Sequence, residues 1–277
     1  MIMKENNRGM AENDRSPVFH KLIEYSPFVL ALAGFLCCCV LEVSGVYISG
    51  ETRYLIYDIA CLLTTILGVF LNAFYGIHYG LVWRKALCFS FIGFVFLFIC
   101  LALGWSQLDV LVFGSGTIAA FRTIIFLPLL CKIFSRFCER DTLNLCDYFT
   151  PYFFYTHGFA SLLCWIAGCC AGRPWFWGLI NPLSGMTVFP TQPCIVLLSL
   201  AVAFWGLQYS RKHIYKTNGM VFANSLCIYG FFRYLIELFT DDVRIIWVMS
   251  LFSIYALILF VQGFLVRCIS GKIYKTP

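Results

Sequence analysis

The sequence predicts an all-α, polytopic integral membrane bundle of seven to eight transmembrane helices, and three observations predict it. The 277 residues are 61% hydrophobic and only 12% charged, with a mean hydropathy of +0.82. A soluble chain carries about 25% charged residues. The apolar residues form continuous runs about twenty residues long, enough to cross hydrocarbon as a helix. Such runs exclude a barrel, whose strands alternate apolar and polar side chains. Finally, the breaks between runs alternate between basic and non-basic along the chain, as connections on opposite sides of a bilayer do.

In order, the apolar runs place spans at about 26–48, 54–77, 86–104, 108–130, 152–171, 194–210, 219–239 and 245–266. Residues 1–25 are polar and mixed in charge, and they read as a cytoplasmic tail rather than a cleaved signal. Residues 26–266 form the transmembrane domain, and residues 267–277 a second cytoplasmic tail. Lys4, Arg8, Arg15 and Lys21 precede the first span. Arg84 and Lys85, then Lys132, Arg136 and Arg140, then Arg211, Lys212 and Lys216 mark the following basic breaks, and Arg267, Lys272 and Lys275 end the chain. The breaks at Glu51–Arg53, Ser106–Asp109, Arg173–Pro193 and Thr240–Asp242 are poor in basic residues. The positive-inside rule then puts both termini in the cytoplasm and the Arg173–Pro193 loop outside. Trp175 and Trp177 in that loop suit the headgroup region, as an aromatic anchor or as a lid.

The net charge of +6 follows this topology and gives no nucleic-acid signal. Fifteen cysteines are scattered through the spans and read as small buried apolar residues, not as a disulfide framework. His157, Cys164, Cys169 and Cys170 lack the spacing of the common zinc sites, so neither a metal nor another cofactor is expected.

Polar groups are costly in lipid, so their clustering marks a site. Three clusters stand in the C-terminal half: Asp147 to Gly172, Phe189-Pro-Thr-Gln192, and Tyr229 to Glu237. Arg233 and Glu237 are four residues apart and share a helix face. They form either an internal salt bridge or a lipid site, in which the planar guanidinium fork of Arg233 holds a phosphate and Glu237 orients it. His157 is the histidine within the clusters; it reads as a helix–helix contact or as an acid–base group. In span four, Arg122 lies inside the apolar stretch and needs an anion, a cavity or the interface.

Taken together and in order, these motifs resemble the prolipoprotein diacylglyceryl transferase family over about residues 110–265. Asp147 and Pro151 match its Asp-x-x-x-Pro. Cys164-Trp-Ile-Ala-Gly-Cys-Cys-Ala-Gly172 follows in the form carried by family members with paired cysteines. Phe189-Pro-Thr-Gln192 stands for His-Pro-Ser/Thr-Gln, and Gly230-Phe-Phe-Arg233-Tyr-Leu-Ile-Glu237 for Gly-x-x-Arg-Phe-x-x-Glu. Ser115–Ala120 corresponds to a Gly-Gly-Leu-Ile-Gly-Gly segment.

The resemblance implies a membrane transferase. It would move a diacylglyceryl group from phosphatidylglycerol, or a related anionic lipid, to a cysteine thiol near the signal peptide of a lipoprotein precursor. The site would face the outer leaflet of the bacterial cytoplasmic membrane. It implies catalytic roles for Arg233, Glu237 and His157, and substrate binding by Arg122, Gly116, Ser161, Gly168, Gly172, Thr191 and Gln192. The sequence also departs from the family pattern: Ser161 replaces an arginine, Cys169 a glutamate, Phe189 a histidine and Ile195 a glutamate. Arg122 or Arg173 is expected to supply the missing cation. The alternatives are a non-catalytic relative that binds lipid or escorts a membrane partner, and a transporter; the latter predicts an inverted repeat, and none is present.

Overall fold

The computed structural model describes residues 66–76, 81–104, 117–167, 172–181, 184–212, 218–240, 244–246 and 249–273. Within them the chain is predominantly helical: α1 (Ile66–Gly76), α2 (Trp83–Gly104), α3 (Thr117–Cys138), α4 (Thr142–Ala167), α5 (Thr191–Lys212), α6 (Met220–Glu237) and α7 (Leu251–Ile273). Two short antiparallel pairs interrupt them, β1 (Pro174–Ile180) with β2 (Thr187–Val188) before α5, and β3 (Arg244–Ile246) with β4 (Met249–Ser250) before α7. Among the described helices, each from α2 to α7 packs on the next, α3 also reaches α7, and α4 reaches α6. The first expected span and most of the second lie outside the described residues.

Residues 191–210 and 253–270 are long and apolar enough to cross a membrane by length and composition. The outer faces of both helices are apolar, with Leu197 and Phe204 on α5 and Leu257, Val261, Phe264 and Leu265 on α7 all exposed. Contiguous exposed apolar surface of this kind suits lipid rather than water. Packing inside uses small residues, as helix association in lipid does. A Cβ on Gly230 of α6 would come within 2.7 Å of the Ala256 carbonyl and the Phe260 nitrogen of α7, and one on Gly263 within 2.6 Å of the Ala223 carbonyl. The two backbones therefore meet directly.

Two elements depart from the hydropathy reading, which placed spans at 108–130 and 152–171. α3 runs on to Cys138 past the basic residues Lys132 and Arg136, because charge at a membrane edge does not break backbone hydrogen bonds. It ends where Glu139 turns left-handed at φ 54°, the Arg140 N–H bonds the Ser135 carbonyl and the Glu139 N–H bonds the Arg136 carbonyl, a Schellman cap. α4 starts at Thr142, ten residues before the apolar run, and passes through Pro151. A proline removes one helical donor, a loss that packed membrane helices tolerate. α7 continues to Ile273, so the expected C-terminal tail begins as helix.

The basic residues meet at one end of the bundle. Lys85 at the start of α2 bonds Glu139 at 2.5 Å, and Arg267 near the end of α7 bonds Asn224 in the first turns of α6 at 3.2 Å. At this end Asp147 of α4, fully buried, accepts the Gly219 N–H at 2.7 Å and the Phe222 N–H at 2.8 Å. Gly219, at φ 88°, offers no side-chain cap of its own. A carboxylate from another helix thus satisfies the first orphan donors of α6 and complements its dipole. Nearby, Tyr148 donates to the Asn72 carbonyl at 2.6 Å, Asn72 donates to Ser90 at 3.0 Å, and Ser90 and Tyr148 hydroxyls meet at 3.0 Å. That buried ring ties α1, α2 and α4 without an unsatisfied hydroxyl.

Candidate functional site

The opposite end carries Phe189–Gln192, Arg233, Glu237 and the Gly172 end of the first polar cluster, whose Asp147 stays at the basic end. Tyr229, Arg233 and Glu237 recur every four residues, so all three lie along one face of α6. All three are buried, while Phe231, Phe232 and Leu235 on the other side are exposed. Glu237 ends the helix; Arg233 lies about 6 Å and Tyr229 about 12 Å deeper at 1.5 Å per residue.

Arg233 and Glu237 form an ion pair whose side chains are 4% and 0% exposed. Removing both charges from water costs several kcal/mol per ion, which their attraction offsets only with further hydrogen bonds. Glu237 gains one, because the Thr240 hydroxyl lies 3.0 Å from its Oε2 and 2.8 Å from its backbone carbonyl. A pair so expensive is weak evidence for stability and good evidence for a site.

From α4, His157 reaches across to α6. Its Nε2 lies 2.6 Å from the Tyr229 hydroxyl, and the rings meet edge to face. Arg233 is near enough for its charge to bear on both His157 and Tyr229. The phenol fixes the orientation of the imidazole. Phe154 packs on Tyr229 and Phe153 stacks on His157, so the pair sits in an aromatic frame.

The β1–β2 hairpin closes this end. Its base is sewn to the end of α6 by a Gly172–Thr240 bridge and by the Arg173 N–H on the Phe239 carbonyl at 3.0 Å, while the Phe189 N–H on the Arg173 carbonyl at 2.8 Å closes the hairpin on itself. The Arg173 Nε donates to the Thr240 carbonyl at 2.8 Å. Phe189 stacks on Phe239 with ring centroids 4.5 Å apart, and Trp175 packs edge-on against both.

The structure therefore brings together three expected residues, His157, Arg233 and Glu237. The other expected residues fall into three groups. Ser161 is buried, and its hydroxyl donates to the His157 carbonyl one turn back at 3.0 Å, a local helix contact. Gly172 serves packing, since a Cβ there would strike the Phe189 carbonyl and the Thr191 hydroxyl. Thr191 and Gln192 are buried in the first turn of α5. Gly116 and Gly168 lie outside the described residues. Arg122 belongs to α3, with its side chain also outside them. Among the described residues no cluster of three or more histidine, cysteine or acidic side chains could hold a metal.

Sequence reasoning opened a polar cluster on Tyr229 but gave neither Tyr229 nor Thr240 a role. Tyr229 was available from spacing alone, one turn before Arg233. Thr240 lies beyond the helix, and its role depends on a contact with Arg173 from 67 residues away.

A helical bundle with apolar outer faces and a buried arginine–glutamate pair under an aromatic hairpin has the architecture of a membrane protein with a polar cluster at one end of its bundle. The chain belongs to the prolipoprotein diacylglyceryl transferase family, which it matches over residues 56–269. It is similar to the phosphatidylglycerol–prolipoprotein diacylglyceryl transferase of Clostridium tetani (strain Massachusetts / E88), at 30% identity over 118 residues, covering 39% of this chain and 47% of the relative. It is also similar to phosphatidylglycerol–prolipoprotein diacylglyceryl transferase 2 of Clostridium perfringens (strain 13 / Type A), at 27% over 122 residues, covering 42% and 46%. The chain spans about half the length of the curated relatives it matches.

Proposed function

We propose that this protein transfers the diacylglyceryl group of phosphatidylglycerol to a cysteine thiol in a lipoprotein precursor, at the outer leaflet of the bacterial cytoplasmic membrane. The observation that carries this reading is the buried Arg233–Glu237 pair on the same helix face as the Tyr229 that holds His157. The names of the relatives supply the substrates. The basic residues gathered at the far end of the bundle support an orientation with the site end outside and both termini in the cytoplasm.

In this reaction the cysteine sulfur attacks the glyceryl carbon that carries the phosphate oxygen. A carbon–sulfur bond forms and the carbon–oxygen bond breaks. The bonding pair leaves with the oxygen as glycerol phosphate. His157 accepts the thiol proton, with Tyr229 holding the ring. Arg233 stabilises the charge that develops on the departing phosphate, and Glu237 keeps the guanidinium in place. Such preorganised donors act strongly in a site that excludes water.

The test is transfer to a peptide bearing a lipoprotein signal cysteine, in vesicles containing phosphatidylglycerol. Arg233→Ala should lower the rate by about 10²–10³-fold. Because a lone buried carboxylate also destabilises the fold, the control is the pair Arg233→Met with Glu237→Leu, which should fold as the parent does and remain inactive. A parent that makes no thioether product, or a folded double variant that keeps the parent rate, refutes the assignment.

A further inference from the structure

The Arg233–Glu237 pair sums to zero charge, so an entering phosphate ester meets no net positive charge from it. The hairpin supplies a second cation. Arg173 is held at three points: its N–H by Phe239, its carbonyl by Phe189, and its Nε by the Thr240 carbonyl. Thr240 in turn bonds Glu237, so Arg173 is coupled through one residue to the buried pair. The residue is partly exposed, and the Nη1 and Nη2 donors of its fork have no protein acceptor among the described residues. A guanidinium anchored through Nε presents its two terminal nitrogens side by side, the geometry that grips two oxygens of one phosphate. Immobilising the group beforehand removes the ordering cost of binding.

What surrounds this cation favours a lipid over a free phosphate. Trp175 flanks it with the Phe189–Phe239 stack, and Phe176 and Trp177 in the same strand are 81% and 82% exposed. β1 joins β2, and α5, a candidate membrane span, starts at Thr191 only three residues after β2, which fixes the hairpin at the edge of the bilayer. Apolar rings beside a fixed cation match an amphiphile with a charged head at the interface.

We propose that Arg173 is a phosphate-ester recognition residue at the mouth of the site, selecting anionic over zwitterionic phospholipid. It rests on the reading of the Arg233 site as one for anionic lipid. Asp241 and Asp242 follow Thr240 in sequence and lie outside the described residues, so the experiment must detect charge selectivity directly.

The experiment measures binding of fluorescent phosphatidylglycerol and phosphatidylcholine to the full chain in nanodiscs, together with KM and kcat for transfer. Arg173→Gln keeps an amide donor for the Thr240 carbonyl but removes the charge. It should lose at least about tenfold in phosphatidylglycerol affinity, about 1.4 kcal/mol, without loss at phosphatidylcholine. The loss of kcat/KM should lie in KM, and the thermal midpoint should not move. Arg173→Lys should recover part of the preference. Competing glycerol phosphate separates sources: displacement weakened by Arg173→Gln assigns the site to the released product as well as to the lipid.

Equal loss at both lipids with a lower thermal midpoint would reduce Arg173 to a structural strap and overturn the proposal. So would a preference unchanged in Arg173→Gln, whether because Asp241 or Asp242 neutralises it or for another reason. A parent that prefers phosphatidylglycerol, with Arg173→Gln losing that preference, but that transfers nothing sinks the transferase reading alone. A parent that transfers, with KM unmoved in Arg173→Gln, sinks this one alone.

Discussion

Asp147 matches a family motif, yet its position assigns it to folding rather than to chemistry. Its two carboxylate oxygens take the Gly219 and Phe222 N–H groups at 2.7 and 2.8 Å, and it is completely buried. Replacing it with asparagine leaves one oxygen to accept one N–H. The new amide group then faces the other donor. One buried unsatisfied donor costs about 1–3 kcal/mol. Losing a negative charge at a helix N-terminus adds about 0.3–1 kcal/mol, more in a buried setting. Asp147→Asn should therefore destabilise by about 2–4 kcal/mol, and Asp147→Ala, which strands both donors, by more. Against a total stability of order 5–15 kcal/mol, either loss is large. The assay is unfolding in detergent followed by far-ultraviolet circular dichroism, with transfer measured on the folded fraction at low temperature. The folded fraction should keep a near-parental KM and kcat. An Asp147→Asn protein with an unchanged unfolding midpoint but a hundredfold lower kcat would refute the reasoning and move Asp147 into the reaction.

Two further outcomes follow from local geometry. Glu139 occupies the left-handed cap position of α3, so Glu139→Gly should relieve about 1 kcal/mol of backbone strain and leave a net gain below that in detergent unfolding. The same variant also reports on pH: the hydrogen bond from Lys85, and then its charge, hold the Glu139 carboxyl below its ordinary value of 4.5. This contribution is complete above that pH and lost as pH falls through the lowered value, and only the parent has it to lose, so the variant's advantage should widen in acid toward the full strain term, and a gap that closes there would contradict it. Gly230→Ala places a methyl 2.7 Å from the α7 backbone, which must retreat, and should destabilise by about 1–3 kcal/mol; an unchanged midpoint would mean that α6 and α7 do not touch as described.

The helical class was legible because it depends on composition and run length alone. The bounds of α5 and α6 were read to within three residues, since apolar run and helix coincide there. Those of α3 and α4 were not. Lys132 and Arg136 end an apolar run without ending a helix, and the polar stretch from Thr142 to Thr150 is helical because Asp147 and Tyr148 find their partners on other helices. The same division runs through the site. Arg233 with Glu237 is a local pattern, visible at a spacing of four. His157 with Tyr229 joins residues 72 apart, and Arg173 with Thr240 residues 67 apart, so only the packed bundle reveals them.

The departures from the family pattern make physical sense as one coordinated change. Where the pattern has an arginine in α4, Ser161 turns inward and bonds its own helix, so no cation remains at that depth on α4. Where the pattern has a histidine, Phe189 stacks on Phe239 instead. That stack, with Trp175 against it, fastens the hairpin to the end of α6 by apolar contact. The fastening holds the Arg173 backbone between Phe189 and Phe239 and puts its Nε on the Thr240 carbonyl. A polar side chain at position 189 would give up that stack and loosen the cation it positions. If Arg173 takes phosphate as proposed, the aromatic substitution and the serine substitution belong together: the hairpin carries the positive charge absent from the helix, and Phe189 holds the hairpin still. Phe189→His should then weaken phosphatidylglycerol binding in this chain, although it restores the residue of the family pattern. If it strengthens binding instead, Phe189 is not what fixes Arg173.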